Sequence, residues 1–337
     1  MKKILAMIMA MAMAVGMTAT VLAEGDEVAV TYKLNDTAVT ESTLLTPGET
    51  YEIDVDVTGV DVDLDDTHQF RVSYTKGASS VESMKFEQDS DGSLTLVVKT
   101  KTTWPTTQTS VEAKIDLRTK TGNKLVKSTT ISYKVGYAKL TLPADLEKGD
   151  FVEVDPAAPV VTKDVFEKLA KLNDYKAVTL NYGDWKFEVK VNDMKDANLV
   201  SNSNPVKEIL TKFEDQEFKF VTFPAGPKFN SKGTVTVDMS VEEDDFAGKY
   251  FVYRYLDGKL TLITSTYNAG NAELSFSTDT LGRFVITNKQ ITDTTIVTGG
   301  TGSTKNPNTG ANDMVAVATA LAVVSLLAGV VVLKKSK

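Results

Sequence analysis

Over much of the chain, polar and apolar residues alternate with a period of two. Tyr51, Ile53, Val55 and Val57 alternate with Glu52, Asp54, Asp56 and Thr58, so an extended backbone places the apolar set on one face. This pattern predicts a half-buried strand. Similar runs occur over 28–34, 69–74, 93–99, 110–117 and 125–135. Turn chemistry separates them, in Pro47-Gly48, Asp91-Gly92 and Thr121-Gly122-Asn123. Several short strands with almost no helical periodicity predict an antiparallel β-sandwich over 24–139. Pro143, Pro156 and Pro159 then mark a connector over 140–159.

The segment 160–290 opens differently. Thr162 is a good helix cap, and Val165, Phe166, Leu169 and Leu172 fall on one helical face. A second short helix is predicted over 205–213, with Pro205 as its first residue. Strand-like runs cover 177–180, 185–191, 217–223, 234–239, 249–256, 260–266, 272–277 and 283–288, and Asp257-Gly258 signals a tight hairpin. The expected fold class is therefore mainly β. Two tandem domains are predicted, an antiparallel β-sandwich followed by a β-rich domain with two short helices, plus a C-terminal transmembrane helix.

Both ends break the alternation. Residues 1–23 read as a signal peptide: Lys2 and Lys3, an apolar stretch, then the small residues Val21 and Ala23 at positions −3 and −1 of a signal-peptidase site. At the other end, residues 314–333 form an uncharged run of the length that crosses a bilayer as a helix. Lys334, Lys335 and Lys337 follow it at once, a basic tail of the kind retained on the cytoplasmic side. Before the run stands Asn306-Pro307-Asn308-Thr309-Gly310, and before that a Thr/Gly-rich spacer over 291–305.

This three-part ending over 306–337 resembles the cell-wall sorting signal of Gram-positive surface proteins, in which a Leu-Pro-any-Thr-Gly pentapeptide precedes an apolar helix and a basic tail. The resemblance implies that a membrane-bound sortase cuts between Thr309 and Gly310 through a thioester. Thr309 is then joined covalently to an amine of the peptidoglycan precursor. Asn306 stands where the family has Leu, which leaves open the sortase class, and with it the alternative of a plain membrane tail anchor. A second resemblance rests on Phe166-Glu167-Lys168-Leu169-Ala170, Val178-Thr179-Leu180-Asn181-Tyr182-Gly183, Trp185-Lys186-Phe187, the 249–255 run and Gly282-Arg283-Phe284-Val285-Ile286. Together these are similar to a β-rich module in the C-terminal part of surface and secreted proteins of gut clostridia. They imply location and architecture rather than chemistry.

Composition narrows the chemistry. The 337 residues include no cysteine, which excludes disulfides, thiol nucleophiles, thiolate metal sites and a lipid-modified cysteine anchor. The formal charge is −8, from 37 basic and 45 acidic residues. Processing at both ends would remove five lysines and Asp313, leaving 32 basic and 44 acidic residues, a net of −12. Such a surface repels nucleic acid and anionic headgroups, so no nucleic-acid partner is expected.

Asp61, Asp63, Asp65 and Asp66 form the most suggestive carboxylate cluster, but a calcium loop starting at Asp61 would need Gly and an acid where Asp66 and Val72 stand. The cluster reads instead as a solvated strand face alternating with Val60, Val62 and Leu64. His68 is the only histidine, and no nucleophile motif accompanies it; it reads as an exposed loop residue. Trp104-Pro105 reads as a packing or turn device. Tyr250, Phe251, Tyr253 and Tyr255, with Tyr182 and Trp185, could form a sugar-stacking platform, but Phe251, Tyr253 and Tyr255 share a strand face and read better as core. No lysine accompanies Val152-Glu153-Val154-Asp155-Pro156, so the pilin shaft motif is missing.

The expected protein is therefore not an enzyme and carries no catalytic residues, cofactor or metal. It is a cell-wall-anchored display protein of the extracellular surface, structural or adhesive, that is held in the membrane before processing. Its expected partners are sortase and peptidoglycan, with host or dietary glycans or proteins as candidate ligands. A surface glycan-binding module is the rival reading.

Overall fold

The computed structural model describes residues 27–241 and 243–296, and here the chain is mainly β, arranged in several sheets. The first nine strands are β1 (Ala29–Leu34), β2 (Thr37–Ala38), β3 (Leu44–Leu45), β4 (Thr50–Thr58), β5 (His68–Lys76), β6 (Val81–Gln88), β7 (Leu94–Thr100), β8 (Thr109–Thr119) and β9 (Leu125–Val135). They form a five-stranded sheet, β2-β1-β4-β7-β6, and a four-stranded sheet, β3-β9-β8-β5. Ile53, Val55, Leu94, Leu96 and Val98 from the first sheet share one buried cluster with Val111, Ala113, Ile115, Ile131 and Tyr133 from the second. This is the period-two expectation realised: β7 alternates buried and half-buried residues along its whole length. Pairing is antiparallel except between β3 and β9, which run parallel.

The remaining elements are β10 (Phe151–Glu153), β11 (Val160–Val161), α1 (Lys163–Leu172), β12 (Val178–Asn181), β13 (Trp185–Val189), β14 (Ala197–Asn198), α2 (Lys207–Lys212), β15 (Phe218–Thr222), β16 (Lys228–Asp238), the single-turn α3 (Glu243–Phe246), β17 (Phe251–Leu256), β18 (Lys259–Ile263), β19 (Ser265–Asn268), β20 (Glu273–Thr280) and β21 (Arg283–Thr287). A six-stranded sheet, β10-β12-β13-β16-β20-β19, and a four-stranded sheet, β15-β21-β17-β18, enclose a second core that includes Phe187, Val235, Phe276, Val221, Phe284 and Ile286. The helix α1 adds Phe166, Leu169 and Ala170 to it. Thr162 caps this helix as its residue type predicts, its hydroxyl accepting from the Val165 amide.

The other face of the four-stranded sheet is buried as well. Phe220, Tyr253, Leu260 and Val285 pack there against Ile209 of α2 and against Ile291 and Ile296. A strand buried on both faces needs a continuous apolar run, and Phe284-Val285-Ile286 in β21 supplies one.

Several boundaries differ from the sequence expectation. Residues 140–159 are more than a connector: β10 pairs in parallel with β12, and Leu140, Val152 and Val154 are buried in the second core. The run over 260–266 is two strands, because the chain leaves one sheet at Thr264 and enters another as β19. The second helix begins at Lys207, with Val206 rather than Pro205 next to its first turn. The sequence pattern does not predict strand β6. Its Glu, Lys and Gln residues favour strands weakly, and a bulge between Val81 and Ser83 interrupts its alternation. Residues 291–296 are docked rather than free spacer, since Ile291 and Ile296 are buried.

Among the described residues no helix is long and apolar enough to cross a membrane. The run over 314–333, predicted as such a helix, lies outside them, as does the signal peptide over 1–23.

Candidate functional site

The residues singled out for processing, Val21, Ala23, Asn306, Pro307, Asn308, Thr309 and Gly310, all lie outside the described residues. The other candidates of the sequence are described, and most have structural roles. Asp61, Asp63, Asp65 and Asp66 do not lie on a strand; they sit in the turn before β5. Asp63 organises that turn. Its Oδ1 accepts from the amides of Asp65 and Asp66 at 2.8 and 3.0 Å, and its carbonyl accepts from the His68 amide at 2.7 Å. Short Asp residues favour turns for this reason, because their carboxylates bond nearby backbone amides. His68 is buried at the start of β5, not exposed in a loop, with Nδ1 2.7 Å from the Thr67 hydroxyl. Among the described residues no three His, Asp or Glu side chains are grouped so as to hold a metal ion.

The aromatic residues of β17 are packed inward. Tyr253 is buried, and its hydroxyl accepts from the Ile291 amide at 2.7 Å, while Phe251 and Tyr255 pack half-buried against the same cluster. Tyr182 and Trp185 stack on each other and meet Phe223 edge-on, with Trp185 buried. These rings form core and offer no open platform.

Trp104 differs. It stands in the segment between β7 and β8, is 42% exposed, and borders a cleft of about 280 Å³. Thr106 from the same segment and Asp193, Lys195, Lys228 and Asn230 from the second half of the chain also line this cleft. The segment is tied down on both sides of the tryptophan. The Tyr137 hydroxyl donates to the Thr103 carbonyl at 3.4 Å, and the Asn198 Nδ2 donates to the Pro105 carbonyl at 3.0 Å. Gln108 donates from its side-chain amide to the Tyr137 carbonyl at 3.1 Å. Asn198 is 2% exposed, and its Oδ1 accepts from the Val200 amide, so both ends of the amide are in use.

The facing wall is equally fixed. Asn230 Nδ2 donates to the carbonyls of Asn192 and Asp193, both at 3.1 Å, and Asp193 takes a left-handed backbone at φ 57° that an Asp tolerates. Asp196 Oδ1 accepts from the Lys163 amide at the first turn of α1. One local signal points to this site, the Trp104-Pro105 dipeptide between two strands. The opposing wall comes from residues roughly ninety to a hundred and thirty positions later, which no local pattern connects to it.

No protein-family model matches the chain, and no curated protein matches it. Similar solved structures include AvmM, which catalyses macrocyclization in alchivemycin A biosynthesis (11% identity, 35% of this chain and 94% of that one, TM-score 0.18). Others are the secreted serine protease VesC from Vibrio cholerae (9% identity, 79% and 48%, TM-score 0.21) and extracellular cadherin domains 1–4 of protocadherin gamma B7 (9% identity, 75% and 68%, TM-score 0.24). Likeness at this level carries no argument about fold or function.

Proposed function

We propose that this chain is a cell-wall-anchored surface display protein of structural or adhesive type. In this reading a sortase cleaves between Thr309 and Gly310 and joins Thr309 to peptidoglycan. The displayed part is two tandem domains, an antiparallel-dominated β-sandwich and a β-rich domain with two short helices, and a C-terminal transmembrane helix holds the precursor in the membrane until processing. The chain has no chemistry of its own beyond serving as a sortase substrate.

One observation carries the reading: the order and spacing of Asn306–Gly310, the uncharged run 314–333 and the lysines after it. A span of that length is stable in hydrocarbon, the basic tail stops transfer, and the pentapeptide is left just outside the bilayer. Pro307, whose ring fixes φ and removes a donor, would put the kink into the substrate that the sortase reads.

Mass spectrometry of protein released from cells by muramidase tests this. The expected C-terminal peptide ends at Thr309 and carries a peptidoglycan fragment. A C-terminus that still includes Lys337 would overturn wall attachment and leave a tail-anchored membrane protein.

A further inference from the structure

The geometry points to a saccharide-binding site in the cleft bordered by Trp104, Asp193, Lys195, Lys228 and Asn230, with the Trp104 ring as the stacking surface. This inference adds a ligand class to the surface-display reading, but the cleft itself is argued from the structure alone.

The first argument is the tryptophan. A large apolar ring left 42% exposed forgoes the stabilisation that burial would give it. Such a residue is common enough on a mobile loop, but this one is held in place by the bonds to Thr103 and Pro105 on either side of it. Preorganisation of this kind lowers the ordering cost of binding. The other tryptophan of the chain, Trp185, is 7% exposed and packed among rings. The chain therefore has ways to bury an indole and keeps this one at the mouth of a cleft.

The second argument is the polar frame. Asp193 supplies carboxylate acceptors, while Lys195 and Lys228 supply donors. A sugar hydroxyl both donates and accepts, and its ring carries an apolar face that stacks on an indole. The cleft offers both complements. Charge does not favour an ion, since the lining lysines Lys195 and Lys228 are matched by Asp193 and Asp196. Size agrees too: about 280 Å³ is just below the range of about 300–1,000 Å³ that drug-sized ligands fill, which suits one or two pyranose rings.

The two tryptophans make the test direct. The full-length chain, purified in detergent micelles, would be titrated with soluble oligomers of glucose, xylose, mannose and N-acetylglucosamine, and in parallel with a set of tetrapeptides, while indole emission and acrylamide quenching are followed. At least one oligosaccharide is expected to shift the emission to the blue saturably and to shield the indole from acrylamide. Trp185→Phe is expected to keep the response. Trp104→Ala is expected to weaken saccharide binding, measured by calorimetry, by about tenfold or more, and Trp104→Tyr to recover part of the loss. Because Trp104 contributes little to either core, the melting temperature of Trp104→Ala should match that of the parent and so exclude misfolding. No response to any of the saccharides, a response unchanged in Trp104→Ala, or saturation by peptides alone would overturn the site. None of these outcomes bears on wall attachment, which the muramidase experiment reads separately.

Discussion

At the scale of single residues, the segment that carries Trp104 depends on Tyr137. Burial, and then the charges of Glu49 and Tyr51, push its phenol up to about 12 from the ordinary 10. The neutral phenol is the form the fold holds, so its contribution to stability is complete below pH 10 and is lost as pH rises from 10 through 12. Burial raises Tyr32 and Tyr133 in the first core in the same direction. Guanidinium unfolding at a series of alkaline pH values should therefore show a falling limb above pH 10, and Tyr137→Phe should make that limb shallower. The acid limb has a counterpart in Asp116. Hydrogen bonds from Arg118 and Ser128 hold its carboxyl at about 2, so its share of stability is present above the ordinary carboxylate range and is lost as pH falls toward 2. None of these roles is visible in the sequence, because burial and partners come from strands far apart in the chain.

Among the elements, strands β13 and β16 show how a missing side chain fixes a contact. A Cβ at Gly233 would lie 2.5 Å from the Glu188 carbonyl oxygen and 2.6 Å from the Phe187 ring. The two backbones and the Phe187 ring occupy the space that any other residue needs. Gly233→Ala is expected to destabilise the second half by about 1–3 kcal/mol through overpacking, read as a lower denaturant midpoint with an unchanged slope. The hairpin between β17 and β18 is the opposite case, since Asp257-Gly258 announced it in sequence and both residues take positive φ, at 49° and 73°. Legibility followed the strength of the local pattern. Strands that alternate cleanly, such as β4 and β9, were located to within a residue or two. Weakly patterned or very short ones, such as β6, β10 and β14, are not legible in the sequence, because pairing partners rather than their own residues stabilise them.

For the molecule as a whole, the first core shares no residue with the clusters of the second half. Between them, the Asn198 side chain donates to the Pro105 carbonyl. Unfolding should therefore show two transitions in calorimetry. Leu96→Ala, at a fully buried site of the first core, should lower one of them by about 2–5 kcal/mol, and Leu274→Ala should lower only the other. A single transition displaced equally by both would show that the halves fold as one. The mainly β class was legible because the period of two is local; the cleft was not, because its walls meet only through tertiary packing. The docked stretch 291–296 has a mechanical consequence. Its backbone lies antiparallel against β18, with Leu260 N–H bonded to the Thr294 carbonyl and Ile296 N–H to the Gly258 carbonyl. A pull applied beyond Ile296 meets these bonds, the Lys212–Asp293 ion pair, the Ile291 bond to Tyr253 and the two buried isoleucines before it reaches any full-length strand. Peeling six residues lengthens the chain by roughly 20 Å at about 3.3–3.6 Å each. The stretch is thus a short compliant tether that absorbs a tug while the sheets above it stay intact.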